Sequence, residues 1–152
     1  MISIICAMTR KRVIGIGGRL PWNIPEETAL FRRITLGSTM IMGRKTFEET
    51  GILGGRKSIV VTRTVDRIAG VVVCRSLEEA IEKARAYHRE IFIIGGGEIF
   101  SEAIGLADRM YLSYIKKDYQ GDTFFPKFDR RDWVAESRKD YKEFRHVVYL
   151  RR

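Results

Sequence analysis

Short apolar runs recur along the chain, and residues that favour turns separate them. Several runs lack any polar alternation, which is typical of strands buried on both faces of a parallel sheet. The pattern predicts strands at Ile2–Met8, Thr39–Met42, Ser58–Thr62, Gly70–Cys74, Ile91–Ile94, Arg109–Ile115 and Val147–Leu150.

Helical patterns lie between these strands. The clearest has apolar residues at positions i, i+3, i+4 and i+7 and predicts a helix from about Leu77 to Tyr87. Ser76 and Glu79 form a capping box at its start. The alternation of strands and helices predicts an α/β fold with a parallel sheet. From Arg109 onward only two or three strands are expected, which predicts an antiparallel edge.

Length and composition narrow the class of protein. The 152 residues fit one domain, 1–152, and the 45% hydrophobic content supports a real core. No run of about 18 apolar residues occurs, and the first strand pattern begins without a basic leader, so we expect a cytoplasmic protein with no membrane partner. Cys6 and Cys74 are too few for a disulfide framework or a zinc site, and no metal is predicted.

The formal net charge of +9 favours an anionic ligand. Nucleic acid is one alternative, but the basic residues are spread from Arg10 to Arg152 without a patch interleaved with aromatic residues. A solvated basic surface that serves a small anionic ligand is the preferred interpretation. Nucleic acid is therefore not an expected partner.

The segment Ile94–Phe100 contains three consecutive glycines between a strand and a helical pattern. This order suits a bound phosphate, because backbone without side chains can approach an anion closely. The signal is weak, since a dinucleotide fingerprint would have a third spaced glycine where Phe100 stands. A tight turn between strand and helix is the alternative.

Glu27 is the most chemically informative residue. Pro25 suits the first position of a helix, and acids in a first turn can simply complement the helix dipole. However, Glu27 shares a helix face with Leu30, Phe31 and Ile34. Desolvation raises the pKa of a carboxylate among apolar groups, so Glu27 is a candidate for holding or relaying a proton.

Cationic and hydroxyl residues follow two other strands. Gly43-Arg44-Lys45-Thr46 and Thr62-Arg63-Thr64 lie where ligands of open α/β sheets collect. The first group does not have the spacing of a phosphate-binding P-loop, which argues against a nucleotide triphosphatase. Neither His88 nor His146 has a neighbouring nucleophile motif, so both are interpreted as surface or packing residues.

Six motifs in order resemble dihydrofolate reductase of the bacterial type. They are Ile14-Gly15, Leu20-Pro21-Trp22-Asn23-Ile24-Pro25, Met42-Gly43-Arg44-Lys45-Thr46-Phe47-Glu48, Gly55-Arg56-Lys57-Ser58, Ile94-Gly95-Gly96-Gly97 and Gly121-Asp122-Thr123-Phe124-Phe125-Pro126. The resemblance implies a monomer with a twisted, mostly parallel eight-stranded sheet, flanked by four helices. It also implies an antifolate-binding cleft where NADPH reduces 7,8-dihydrofolate to tetrahydrofolate, with hydride transfer to C6 and protonation at N5.

The resemblance also implies site residues. Glu27 would bind the pterin and help protonate N5, and Leu20 and Trp22 join it as catalytic residues of the closing loop, Thr9 to Asn23. Arg56 would bind the α-carboxylate of the glutamate tail. The remaining substrate residues would be Ile5, Cys6, Ala7, Phe31, Thr50, Leu53, Ile94 and Ser113.

For NADPH, the resemblance assigns the 2′-phosphate to Arg44, Thr62 and Arg63, and implies a cis peptide between Gly95 and Gly96. The other cofactor residues would be Ala7, Ile14, Gly15, Leu20, Gly43, Lys45, Thr46, Ile94, Gly97, Glu98, Ile99, Phe100 and Thr123.

This chain departs from the family at several positions. Leu20 stands where methionine is common, Ser113 where threonine is usual, and Thr50 where an apolar residue is common. Glu98 places an acid near the cofactor phosphates, and Phe100 replaces a frequent tyrosine. Two alternatives remain: a related NADPH-dependent pyrimidine reductase of riboflavin synthesis, and a basic nucleic-acid-binding domain.

Overall fold

The computed structural model describes all residues from Met1 to Arg152. Its ten strands are β1 (Ile2–Thr9), β2 (Val13–Gly15), β3 (Thr39–Gly43), β4 (Lys57–Val61), β5 (Val72–Cys74), β6 (Ile91–Gly95), β7 (Arg109–Ile115), β8 (Thr123–Phe124), β9 (Trp133–Asp140) and β10 (Phe144–Arg151). The α-helices are α1 (Pro25–Thr35), α2 (Arg44–Thr50), α3 (Leu77–Arg85) and α4 (Gly97–Ala103), and a 3₁₀ turn covers Arg130–Asp132.

Eight strands form one sheet in the order β5-β4-β3-β6-β1-β7-β10-β9. All neighbours from β5 to β7 are parallel, whereas β10 pairs antiparallel with both β7 and β9. Strands β2 and β8 form a separate two-stranded sheet. The predicted mostly parallel sheet with an antiparallel C-terminal edge and four helices is confirmed.

The apolar runs of the sequence form the core. Ile4, Ile41, Ile59 and Ile93, from four neighbouring strands, are fully buried in its largest cluster. A second cluster packs between α1 and the antiparallel edge and contains Trp22, Ile24, Leu30, Ile115 and Phe144. The sheet is therefore covered on both faces, as its unbroken apolar strands require. No helix combines the length and apolar content needed to cross a membrane.

Local sequence signals explain where the helices begin. In α3 the Ser76 hydroxyl accepts a hydrogen bond from the backbone N–H of Glu79 at 3.1 Å, as the capping box predicted. In α1 the first residue is Pro25, whose missing N–H costs nothing at that position. Ile24 precedes it without a side-chain cap. Both predicted helix starts are thus confirmed.

The strand predictions were incomplete at the edges. Strand β5 starts at Val72 because Gly70 has a φ of 82°, which ends extended structure. Strands β2, β8 and β9 were not predicted individually: β2 and β8 are short, and six of the eight residues of β9 are exposed. An exposed edge strand carries no apolar run for a sequence pattern to detect.

Candidate active site

A cleft of about 400 Å³ opens beside the carboxyl ends of β1 and β6. Its walls come from β1, the segment after β2, α1, α2 and the turn between β6 and α4. It gathers most of the predicted site residues: Ile5, Cys6, Ala7, Ile14, Gly15, Leu20, Glu27, Phe31, Lys45, Thr46, Thr50, Leu53, Ile94, Gly95, Gly96, Gly97, Phe100 and Thr123.

Glu27 lies in the first turn of α1 and points into the cleft. Burial raises the pKa of its carboxyl group, and the hydroxyl of Ser113 partly opposes that shift by hydrogen bonding to the charged form. The carboxylate also helps to raise the pKa of the buried Cys6 thiol, after desolvation. A carboxyl group in this environment can hold a proton closer to neutral pH than an exposed glutamate can.

Ser113 lies behind Glu27 on β7 and is buried. Its Oγ is 3.1 Å from Nδ1 of His146, which is directly opposite on β10. His146 is also buried, and desolvation lowers its pKa to about 4, so the imidazole is neutral above that pH. His146 is thus a packing residue, as one of the two sequence interpretations held, but it is hydrogen bonded to a predicted site residue.

The turn between β6 and α4 forms the floor of the cleft. The Gly95–Gly96 peptide is cis, as the resemblance implied, and Gly95 has a φ of 142°. A Cβ atom at Gly95 would lie 3.0 Å from Oγ1 of Thr46, and one at Gly97 would lie 3.2 Å from Cγ2 of Thr123. The absence of side chains thus allows the turn to pack closely on its neighbours while its backbone faces the cleft.

Phe100 points away from solvent. It is 2% exposed, and its ring packs against Phe125 at a centroid distance of 5.1 Å. Phe100 has no hydroxyl, so this side chain supplies packing without a polar group.

The predicted 2′-phosphate residues lie beyond the cleft, at the ends of β3 and β4. Arg44 donates to Oγ1 of Thr64 at 2.9 Å and pairs with Glu48 at 3.2 Å. The hydroxyls of Thr62 and Thr64 are 3.1 Å apart, and Arg63 makes only a long contact, 3.4 Å, with a backbone oxygen. Arg44 and Arg63 are exposed, so both cations are accessible to an anion.

Arg56 is held against the C-terminal end of α1. Its Nε donates to Oγ1 of Thr35 at 3.2 Å, and Nη1 donates to the carbonyl of Gly54 at 2.6 Å. Its Nη2 donates to the carbonyl of Arg32. A guanidinium group has five N–H donors. Three are used here, which leaves one N–H on each terminal nitrogen.

The glycine-rich segment before α1 is tied to both sides of the cleft. The backbone N–H of Leu20 donates to Glu49 on α2 at 3.0 Å, and that of Gly17 donates to Asp122 at 3.0 Å. Trp22 is buried and packs edge-on against Tyr119, with ring centroids 5.6 Å apart. The segment therefore covers one wall of the cleft while its anchor points remain at the surface.

Nine predicted residues do not line this cleft: Trp22, Gly43, Arg44, Arg56, Thr62, Arg63, Glu98, Ile99 and Ser113. Five residues that were not assigned individually do line it: Gly18, Arg19, Thr28, Arg32 and Glu49. Gly18 and Arg19 belong to the predicted closing loop, whereas Glu49 is on α2 and accepts a hydrogen bond from the backbone N–H of Leu20 in that loop. No sequence signal on α2 alone identifies Glu49.

Comparison with known proteins identifies the family. The family model described as Dihydrofolate reductase matches residues 1–150. The chain belongs to the dihydrofolate reductase family. A dihydrofolate reductase of Bacillus subtilis (strain 168) is 42% identical over 139 residues, which are 90% of this chain and 82% of that protein. The dihydrofolate reductase of Haemophilus influenzae is 42% identical over 135 residues, covering 88% and 84% of the two chains.

A solved structure agrees with this assignment. A dihydrofolate reductase from Enterococcus faecalis, in complex with NADP(H) and RAB-propyl, superposes with a TM-score of 0.87 at 34% identity. The match covers 99% of this chain and 96% of the other. The similarity therefore extends over the whole fold, including the strands that surround the cleft.

Proposed function

We propose that this chain reduces 7,8-dihydrofolate to tetrahydrofolate with NADPH. Membership of the dihydrofolate reductase family supports the reaction. Within the chain, the observation that carries the proposal is the partly buried carboxyl group of Glu27, which lines the same cleft as the glycine turn Gly95–Gly97. The reaction needs a proton at N5 and a hydride at C6, and the cleft offers a proton-holding side chain for the first of these.

The residues around the glycine turn fit NADPH. Lys45 and Thr46, together with the backbone of Gly95 to Gly97, would hold the phosphates in the cleft. Arg44 and Arg63, both exposed at the ends of neighbouring strands, would hold the 2′-phosphate. Two guanidinium groups around a dianion favour NADPH over NADH by charge. When bound, the cofactor supplies the hydride.

The remaining proposed cofactor residues lie around the cleft between β1 and α2. Gly43 and Ile99 approach each other behind the turn, since a Cβ at Gly43 would lie 3.7 Å from Cγ1 of Ile99. Ala7, Ile14, Gly15, Leu20, Ile94, Phe100 and Thr123 would line the cofactor path in the cleft, and Thr62 and Glu98 would lie at its edge. Glu98 is exposed, so its negative charge is screened by solvent.

The chain would bind the substrate along α1. Ile5, Ala7, Phe31 and Ile94 offer apolar walls for a flat ring, with Cys6 on β1 beside them. Thr50 and Leu53 would flank the aminobenzoyl group. At the far end of α1, the free N–H groups of Arg56 would donate two parallel hydrogen bonds to one carboxylate.

Glu27 would hold the amino-pyrimidine edge and deliver a proton towards N5, with Ser113 orienting the carboxylate. Its raised pKa suits this role, because a proton held near working pH can be relayed. The loop that carries Leu20 and Trp22 would exclude water during hydride transfer. In this proposal Glu27 is the only cleft residue that handles a proton.

An absorbance assay tests the proposal directly. NADPH oxidation should require dihydrofolate, should be weak with NADH, and should not occur with a pyrimidine substrate of riboflavin synthesis. Turnover of the pyrimidine alone would contradict the proposal. We further expect a monomer without nucleic-acid affinity, which light scattering and a DNA-binding assay at physiological salt can check.

A further inference from the structure

A second cavity, of about 680 Å³, lies at the antiparallel edge of the sheet. Side chains alternate between the two faces along a strand, so residues next to Ser113 and His146 point away from the face that packs on α1. The cavity shares no residue with the active-site cleft. It is lined by Arg10, Tyr114, Lys116, Arg130, Arg138, Asp140, Arg145, Val147 and Tyr149.

The lining of this cavity is strongly cationic. Five side chains carry a positive charge against one carboxylate, Asp140, which leaves a net charge of +4. Asp140 is already paired with Lys116 at 2.9 Å. The four arginines of the cavity form no salt bridge. Apart from Lys116, the cations that form salt bridges in this chain are Arg44, Arg75, Arg109 and Arg131, and none of these lines the cavity. Unneutralised like charges around one concavity repel each other, and a bound anion relieves that repulsion.

Strand register places two of these arginines on one face. Arg145 on β10 is opposite both Tyr114 on β7 and Asp140 on β9, and Val147 is opposite Arg138. Arg145 and Arg138 are therefore diagonal neighbours on the same face of adjacent strands, close enough for long side chains to meet over one ligand. Arg10 and Arg130 approach from the segment after β1 and from the 3₁₀ turn.

The floor of the cavity adds hydrogen-bonding groups. The hydroxyls of Tyr114 and Tyr149 are 3.0 Å apart, and only one can donate to the other. The second hydroxyl thus keeps a free O–H for a ligand. The guanidinium carbon of Arg130 lies 5.8 Å from the centre of the Tyr149 ring, which holds this cation above the floor.

Protection of an exposed edge strand does not account for the cluster. Charged residues on an edge strand discourage pairing with other chains, and this reason suffices for Arg138 on β9. It does not apply to Arg145, which is on the inner strand β10, or to Arg10 and Arg130, which are outside the sheet. The convergence of four unpaired arginines from four segments points to a ligand.

We propose that this cavity binds a small anion with two or more linked phosphate groups. Guanidinium groups bind phosphate oxygens in a forked geometry, and linked phosphates supply several negative charges within a short length. The volume is within the range of about 300–1,000 Å³ that is usual for small-molecule sites. This site is separate from the proposed NADPH cleft, since the two cavities have no residue in common.

Calorimetric titration with inorganic tripolyphosphate tests this site. The protein is first saturated with NADPH, so that the phosphate contacts of the cofactor cleft are occupied. We expect one tripolyphosphate to bind per chain. The double variant Arg138→Ala with Arg145→Ala should bind tripolyphosphate about 10- to 100-fold more weakly. The matched control is Arg85→Ala with Arg89→Ala, which removes the same charge from exposed positions outside the cavity. Its affinity should remain within about twofold of the parent protein.

Several results would overturn the proposal. Absence of binding to the parent protein, or an equal loss in the two double variants, would show that only net charge is involved. Equal affinity for an acidic peptide would exclude a phosphate-specific site. If duplex DNA displaces tripolyphosphate and binds more tightly, the cavity is part of a nucleic-acid-binding surface and the small-ligand proposal is wrong. An unchanged NADPH titration in each variant confirms that the fold is intact.

Discussion

Arg56→Lys should separate substrate anchoring from chemistry. The guanidinium group of Arg56 donates to Thr35, Gly54 and Arg32, and one N–H on each terminal nitrogen remains, which in the proposed function would donate to the carboxylate of the substrate tail. Lysine keeps the charge but has a single nitrogen, which cannot make two parallel bonds or keep the three protein contacts. Losing one charge-assisted bond costs about 1.5–3 kcal/mol, so kcat/KM for dihydrofolate should fall by roughly one to two decades.

Steady-state kinetics with two substrates checks this expectation. KM for dihydrofolate should rise while kcat stays within about twofold, because no interaction specific to the transition state is removed. A truncated pterin without the glutamate tail should be unaffected. Thr35→Val is the matched control: it removes the hydroxyl that accepts from Nε and donates to the carbonyl of Phe31, leaves the guanidinium group in place, and should raise KM by no more than about tenfold. An equal loss with the truncated pterin would show that Arg56 shapes the cleft itself and would refute the assignment.

Three further changes probe other parts of the site. Glu27→Gln should lower turnover at pH 7 by at least about 100-fold and leave NADPH binding near normal. Lower pH should restore part of the turnover, because solvent can then protonate the substrate. Full activity of the variant at pH 7 and above would show that Glu27 takes no part in the mechanism. Arg44→Ala with Arg63→Ala should weaken NADPH by about 10- to 100-fold and NADH only slightly; equal losses would mean that the pair binds something else. His146→Phe should make the free energy of unfolding less sensitive to acid. The pKa of His146 is about 4 in the folded protein and 6.5 in the unfolded chain, so between these values the unfolded chain binds a proton that the folded protein does not, and the parent protein loses stability as pH falls. Urea unfolding measures the difference in free energy of unfolding between variant and parent, which should be about 1–2 kcal/mol more favourable to the variant at pH 5 than at pH 7. The same difference at both pH values would show that titration of His146 does not contribute.

The central part of the fold could be predicted because its strands are buried on both sides. Met40, Ile41 and Met42 have no exposed surface, so the sequence shows an unbroken apolar run there. In β9, by contrast, residues 136–140 include four charged side chains, because this strand ends the sheet and most of its residues are exposed. Periodicity detects burial, and a strand with little burial leaves little pattern.

The candidate site also has features that the sequence predicts and features that it does not. Helical spacing alone places Glu27 beside Leu30 and Phe31, so its partly buried position could be predicted. The bond between Ser113 and His146 could not, since it depends on the pairing register of β7 and β10. Register is set by the packing of whole strands, and no local motif states it.

The basic cavity also arises only from topology. Its cations come from positions 10, 116, 130, 138 and 145, and the sequence therefore suggested a dispersed basic surface. The antiparallel return of β10 between β7 and β9 brings three of its segments together. That the basic surface serves an anion stays a prediction, and the sequence could not show where the charges converge.

Helix α1 links the two ends of the proposed substrate site. Glu27 lies in its first turn, and the carbonyl of Arg32 and the hydroxyl of Thr35 bind Arg56 at its end. Thr35 follows Glu27 by eight positions along the α-helix, a rise of about 12 Å. The helix thus fixes the distance between the proposed proton-handling group and the proposed carboxylate anchor. A substrate without its tail would lose the anchor but keep the proton donor, so the two ends should be separable in KM and kcat.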